Sequence, residues 1–216
     1  MEDFEKNVFI NCPFDKEYDS LLKPMLFTIL YNDFNPRIAN EESDSGKSRI
    51  DKLKDLILIS KYSIHDLSRL ISKEEREYYR MNMPFELGLD FGCKCFVSDK
   101  NSKKFLILEK EKYSYMKAIS DLNGFDLKAH NDVPEEIVRS IRNWFVETIK
   151  IEAKSPTKIW GDFNDFNADL LVEKEQEGFH QKDIDSMPMP ELINCMKKWL
   201  ETKNRKKTQS PLPVQI

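Results

Sequence analysis

No run of apolar residues in this chain approaches the roughly 20 needed to span a bilayer. Its opening residues, MEDFEKNVFI, lead straight into a strand, with neither the basic n-region nor the apolar h-region of a signal peptide. A cytoplasmic protein without membrane contact is the expectation. Cysteine is sparse, at Cys12, Cys93, Cys95 and Cys195. Cys93 and Cys95 lie too close for an ordinary bridge, and no second pair or paired histidines stand at zinc spacing. His65, His130 and His180 are far apart in sequence and suggest no metal motif. Reduced, packed thiols and no metal centre are therefore expected. A basic excess is also missing: the net charge of -4 speaks against broad, nonspecific nucleic-acid binding. The one basic cluster, Lys203, Arg205, Lys206 and Lys207, reads as a solubilising end. No internal repeat is present.

What is present is enough for one good-sized core with a small appendage. The chain has 216 residues, 40% hydrophobic and 33% charged, which is a globular composition. Val8 to Cys12 is a short apolar run closed by Pro13, and reads as a buried strand. Tyr18, Leu21, Leu22, Met25, Leu26, Ile29 and Leu30 form a helical stripe, with Pro24 expected to kink it or to separate its first turn. Asn35 to Asn40 is a weaker strand. Ile50, Leu53, Leu56 and Ile57 mark a second helix, and Tyr62 to Asp66 a third strand. The polar stretch from Ser72 to Asn82 reads as a loop or a brief helix. Asn82 then caps a helix from about Met83 to Gly92 or a little beyond, with Pro84 in its first turn. Phe105 to Leu108 and Phe125 to Ala129 complete five strands, and a helix carrying Ile137, Val138, Ile141, Trp144, Phe145 and Ile149 follows.

Strands alternating with helices imply crossover connections and a parallel sheet covered on both faces. The expected fold is α/β and flavodoxin-like: five parallel strands flanked by helices over residues 1–153. A helical extension over 154–203 and a flexible tail over 204–216 complete the chain. The extension is expected to pack on the sheet domain or to form a subunit contact.

Ligands of such sheets bind outside the carboxyl ends of the strands, near the switch in strand order. Four segments converge there. They are Asn11-Cys12-Pro13-Phe14-Asp15, the acidic loop Glu41 to Asp44 with Arg49 beyond it, His65-Asp66-Leu67-Ser68-Arg69, and Asn82-Met83-Pro84-Phe85-Glu86-Leu87-Gly88. Glu86 has two readings. It is a carboxylate in the first turn of a helix, where the dipole keeps it ionised, or, among Phe85, Leu87 and Leu89, a partly buried acid that needs a partner or a task. Asp66 caps the following turn or serves a ligand, and His65 pairs locally or moves protons. Glu41, Glu42 and Asp44 form a solvated acidic loop or a Mg²⁺ site, although no spacing demands the ion. Arg49, Arg69 and Arg80 make surface ion pairs or contact phosphate.

The segments VFINCPF, SIHDLS and PFELG, in that order, resemble the first strand and turn, the third strand and the Glu-bearing helix of nucleoside 2-deoxyribosyltransferases. NAD-hydrolysing TIR domains are similar in fold and carry a Glu after the third strand. The resemblance covers about residues 7–150. The chain departs from it at Cys12, where the family has glycine, and at Asn82-Met83-Pro84, where no Gly-Thr pair precedes the Glu. The whole chain also resembles uncharacterised bacterial proteins with FINCPFD, HDLSR and NMPFELG segments.

By resemblance, Glu86 would attack or stabilise the anomeric carbon of a ribosyl group, and Asp66 would bond a sugar hydroxyl or orient the leaving base. Asn11, Pro13 and Phe14 would line the pocket, with Glu42, Ser68 and Asn82 on the same edge, and Arg49, Arg69 and Arg80 would take phosphate. The implied activity is cleavage or transfer at an N-glycosidic bond. NAD or a related nucleotide would be the substrate, a deoxynucleoside the next choice, and no cofactor would be required. TIR likeness further implies a place in bacterial antiphage defence and a homo-oligomer. Two other readings stay open: a non-catalytic nucleotide sensor, and a self-association module using Trp160, Phe163 and Phe166.

Overall fold

The structure, a computed structural model, describes residues 3–41, 44–69 and 81–209. Glu42, Arg80 and most of the polar stretch Ser72 to Asn82, expected near the site, lie outside the described residues. The chain divides into two compact units, 1–160 and 161–216, with the division falling inside a helix.

The first unit holds five strands: β1 (Asn7–Asn11), β2 (Asn35–Ile38), β3 (Tyr62–Asp66), β4 (Lys104–Glu109) and β5 (Leu127–Ala129). All neighbouring pairs are parallel, in the order β2-β1-β3-β4-β5. This is the flavodoxin-like order. Its strands are built from apolar runs because both faces are covered. Every residue of β1 and of β3 is buried.

Among the described residues, four α-helices lie between or after these strands: α1 (Asp19–Tyr31), α2 (Arg49–Leu58), α3 (Asn82–Phe96) and α4 (Pro134–Trp144). The step β1→β2 runs one way along the sheet and the steps β2→β3→β4 run the other. Right-handed crossovers therefore place α1 on one face and α2 and α3 on the opposite face. The packing agrees, with α1 against α4 and α2 against α3. Phe9, Leu53, Leu56 and Ile57 form the core under α2, with Leu89 and Cys93 of α3 packed against it. Phe34 stacks on Phe145, and Tyr62 meets both Phe34 and Trp144 edge-on, toward the amino ends of the strands.

Two local expectations change. Pro24 does not separate the first turn of α1: the helix is continuous across it, and Thr28 donates its hydroxyl to the Pro24 carbonyl at 2.7 Å. The helix ending near Ile149 is α-helical only to Trp144 and finishes as a π turn over Phe145–Ile149, closed by Lys150 at φ 69°.

The rest of the chain forms α5 (Pro156–Gln176), α6 (Gln181–Asp185) and α7 (Met189–Gln209). In the second unit Trp199 donates to Asp169 at 2.7 Å and meets Phe166 edge-on, while Lys203 reaches Asp162 at 2.7 Å over the Trp199 ring. These ties use α7 past residue 200, and the helix runs on through the start of what the sequence marks as a tail. Phe163 and Phe166, expected on a self-association surface, are 6% and 1% exposed. Trp160, expected beside them, is half-buried. Among the described residues, no helix is long and apolar enough to cross a membrane.

Candidate active site

Strand order reverses between β1 and β3, and the chemistry-bearing side chains gather at their carboxyl ends. β1 ends in Asn11, and its register partner on β3 is His65. Asp66 closes β3, α3 brings Glu86, and α2 brings Arg49 at its first residue. Asn11, Cys12, His65 and Asp66 have no appreciable exposure.

Asp66 is saturated with donors. It accepts from the hydroxyl of Tyr18, from the hydroxyl and backbone N–H of Ser68, and from His130 Nε2 at 3.1 Å. Burial pushes its carboxyl up, but the hydrogen bond from His130 and the hydroxyls of Ser68 and Tyr18 outweigh that and hold it below the usual range. Tyr18, pushed well up by burial and by the Asp66 charge, stays a donor. The expectation that Asp66 contacts a sugar hydroxyl gives way to a bracing role, because a wholly buried carboxylate with four donors has no oxygen left to offer.

Ser68, His130 and Asp66 resemble a hydrolase triad only in composition. The Asp132 N–H donates to His130 Nδ1 at 3.0 Å, so the proton sits on Nε2, the nitrogen 2.7 Å from Ser68 Oγ. A protonated nitrogen cannot draw a proton from the serine. Ser68 Oγ instead directs its own proton to Asp66.

A second buried chain runs alongside. Asn11 Nδ2 donates to the Met83 carbonyl at 2.8 Å and lies 3.0 Å from His65 Nδ1. The carbonyl can only accept, which fixes the amide orientation and makes Nδ1 an acceptor. His65 Nε2–H then donates to Asp90 Oδ2 at 3.1 Å. Asp90 Oδ1 pairs with Lys103 at 3.0 Å, and Lys103 also donates to the carbonyls of Ile57 and Ser60. His65 therefore pairs locally. Burial pushes the Asp90 carboxyl up, but the bond from His65, the charge of Lys103 and the Ser63 hydroxyl bring it below the usual range.

Glu86 is the contrast. It is 2% exposed, and among the described residues one donor meets it: Arg49 Nη2, 3.4 Å from Oε1. Among the described residues Oε2 has no hydrogen-bond partner. Burial pushes its carboxyl above the usual range, and the charge and bond of Arg49 offset this only in part. The helix begins at Asn82 with Met81 at the cap position, so Glu86 is the fifth residue and lies beyond the first turn. The macrodipole acts mainly within that turn, so burial governs Glu86, contrary to the expectation that the dipole keeps it ionised. Asn82 is exposed and is not the cap, and Phe85 is 56% exposed.

The other expected residues divide. Arg49 is 50% exposed beside Glu86. Pro13 is buried and Phe14 half-buried after β1. Arg69 lies 3.8 Å from Glu17. Glu41 binds Arg37 at 3.0 Å, and Asp44 accepts from the Gly46 N–H, so both face their own loop. Among the described residues, no group of three or more His, Cys, Asp and Glu could hold a metal ion. The Cys12 thiol is pushed well up by burial and by the charges of Asp66, Glu86, Asp15 and Asp19, which makes it a poor nucleophile.

Sequence reading missed Tyr18, Asp90, Lys103 and His130 as members of these networks. A signal existed for Asp90, which follows Glu86 by four residues and so shares its helix face. Comparison of the chain with protein-family models, with curated proteins and with solved structures gave no match in any of the three.

Proposed function

We propose that this chain cleaves, or transfers at, the N-glycosidic bond of a nucleotide or nucleoside, with Glu86 as the carboxylate that meets the ribosyl carbon. NAD or a related nucleotide is the substrate class. The observation that carries the reading is the contrast between two buried carboxylates at one switch point. Asp66 has four donors, whereas Glu86 has one contact at 3.4 Å and an oxygen with no partner among the described residues. Burying a carboxylate costs several kcal/mol unless it is hydrogen-bonded. A purely structural Glu86 would be bonded as Asp66 is.

The chemistry follows from that oxygen. When the bond from C1′ to the base nitrogen breaks, its electron pair leaves with the base and positive charge develops on the sugar. A carboxylate in a water-poor site stabilises that charge more in the transition state than in the ground state. Water or an acceptor base then adds to C1′ and gives up a proton. Arg49 faces solvent beside Glu86, and its guanidinium can engage two oxygens of a phosphate. Asp66 braces Tyr18, Ser68 and His130 around the ends of the strands.

Incubation of the purified chain with NAD, nucleotides and deoxynucleosides, followed by chromatography, tests the reading. Free base should be released by the parent and not by a folded Glu86→Gln variant. Release by that variant at the parental rate would falsify the proposal.

A further inference from the structure

Glu86 sits on α3 between two points that are tied to the sheet. Three residues before it, the Met83 carbonyl accepts from Asn11 Nδ2 at 2.8 Å. One turn after it, on the same helix face, Asp90 accepts from His65 Nε2 at 3.1 Å. The two ties share a link, since Asn11 and His65 are register partners on β1 and β3 and meet at 3.0 Å.

We propose that Asn11 and His65 are positioning residues for Glu86, clamping α3 at the Met83 carbonyl and the Asp90 carboxylate so that the Glu86 carboxylate stays buried with one oxygen unengaged. The inference rests on the reading of Glu86 as the reacting carboxylate. Satisfying a helix end does not explain the Asn11 bond, because the Met83 carbonyl lies inside α3, where an intrahelical partner exists. The bond instead fixes where the start of the helix sits. Met81 offers the first turn no side-chain cap, and the Met83 side chain packs on Leu67, Leu87, Ile107 and Tyr115, so the Asn11 bond is the polar tie that sets the position of that turn's backbone among the described residues. Core filling does not explain His65 either. Phe9 and Phe105 meet its ring edge-on, contacts that an apolar ring would make equally well without burying a polar one.

The test uses the full chain and the variants Asn11→Ala and His65→Phe, the second of which keeps the core filled while making neither hydrogen bond. The Glu86 carboxyl is followed by carbon-13 NMR titration and identified by the resonance lost in Glu86→Gln. In the parent its midpoint should lie above the ordinary glutamate value of about 4.3. In either folded variant it should fall back toward that value as the released helix start lets water in. Base release should fall about 100-fold, the scale expected for misplacement near 1 Å, with KM little changed. A folded variant with a lower melting temperature but a parental Glu86 midpoint overturns the proposal, because a role in packing alone predicts that result. Should the midpoint move while the parent releases no base from any substrate, the clamp stands and the glycosidic reading of Glu86 falls.

Discussion

Lys103 Nζ and Asp90 Oδ1 lie 3.0 Å apart with both side chains wholly withdrawn from solvent. A buried pair of this kind adds little net stability, yet removing one partner strands the other. Lys103→Met leaves Asp90 uncompensated and frees the carbonyls of Ile57 and Ser60. A loss of about 3–5 kcal/mol is expected from urea unfolding, with an unchanged denaturant slope. Adding Asp90→Leu should restore part of the loss and no more, because His65 Nε2–H then has no acceptor. A single-variant loss within about 0.5 kcal/mol, the level of an ordinary surface substitution, would show that the pair is hydrated in solution.

Acid should attack the same region. The carboxyls of Asp66 and Asp90 are both held below the usual range in the folded chain, despite the upward push of burial, by their hydrogen bonds and neighbouring charges. A depressed carboxyl lends stability that is fully present above its unfolded value, about 3.9 for Asp, and that is lost as pH falls through the lower folded value. Unfolding midpoints should therefore drop steeply below about pH 4. Asp66→Asn should be less stable at pH 7 by about 1–3 kcal/mol and show a shallower acid limb. An acid limb identical to the parent's would mean that Asp66 does not titrate with folding.

The architecture was legible because it is written in local patterns. Apolar runs at Val8 to Cys12, Tyr62 to Asp66 and Phe105 to Leu108 mark buried parallel strands, and three-and-four spacing marks the helices between them. The ends of elements were less clear: β2 stops at Ile38, short of Asn40, and only three residues of Phe125 to Ala129 pair as a strand. The site was legible in part. Asn11, Asp66 and Glu86 stand where a parallel sheet presents its switch point. Their division into a saturated carboxylate and a nearly unpaired one was not legible, since it depends on Tyr18, His130, Asp90 and Lys103. Those partners come from other elements, and nothing local in Lys103 announces that its ammonium is buried.

Ser68 should fail as a nucleophile. The imidazole nitrogen that faces it carries the proton, so an organophosphonate directed at activated serines should leave the chain unlabelled at pH 7, and Ser68→Ala should retain base release. Stoichiometric labelling lost in Ser68→Ala would reverse the tautomer assigned to His130.

Arg49 separates substrate contact from stability. Its pairing with Glu86 is half-exposed and 3.4 Å long, so Arg49→Ala should change folding stability by no more than about 1 kcal/mol. If the guanidinium takes a phosphate, the variant should raise KM for phosphorylated substrates by about tenfold or more, the scale of a charge-assisted bond of 1.5–3 kcal/mol. KM for neutral deoxynucleosides should stay near the parental value. Equal losses for both classes would assign Arg49 to Glu86 alone.

Glu86 should be a liability to the fold. Burial raises its carboxyl above the ordinary value, with Arg49 offsetting only part of the effect. For a carboxyl raised in the folded state the linkage runs opposite to that of Asp66. Folding binds the proton more tightly, so stability falls as pH rises through the unfolded value of about 4.3. Glu86→Gln keeps the shape and removes the charge. It should be more stable than the parent at pH 7, by on the order of 1 kcal/mol, with the gain vanishing below about pH 4 where the parent is protonated as well. A residue kept for packing would cost stability when altered, whereas one kept for chemistry costs stability while present. A Glu86→Gln variant that is less stable at pH 7 would show that the Arg49 contact, long as it is, compensates the buried charge, and the argument for a reacting carboxylate would lose its footing.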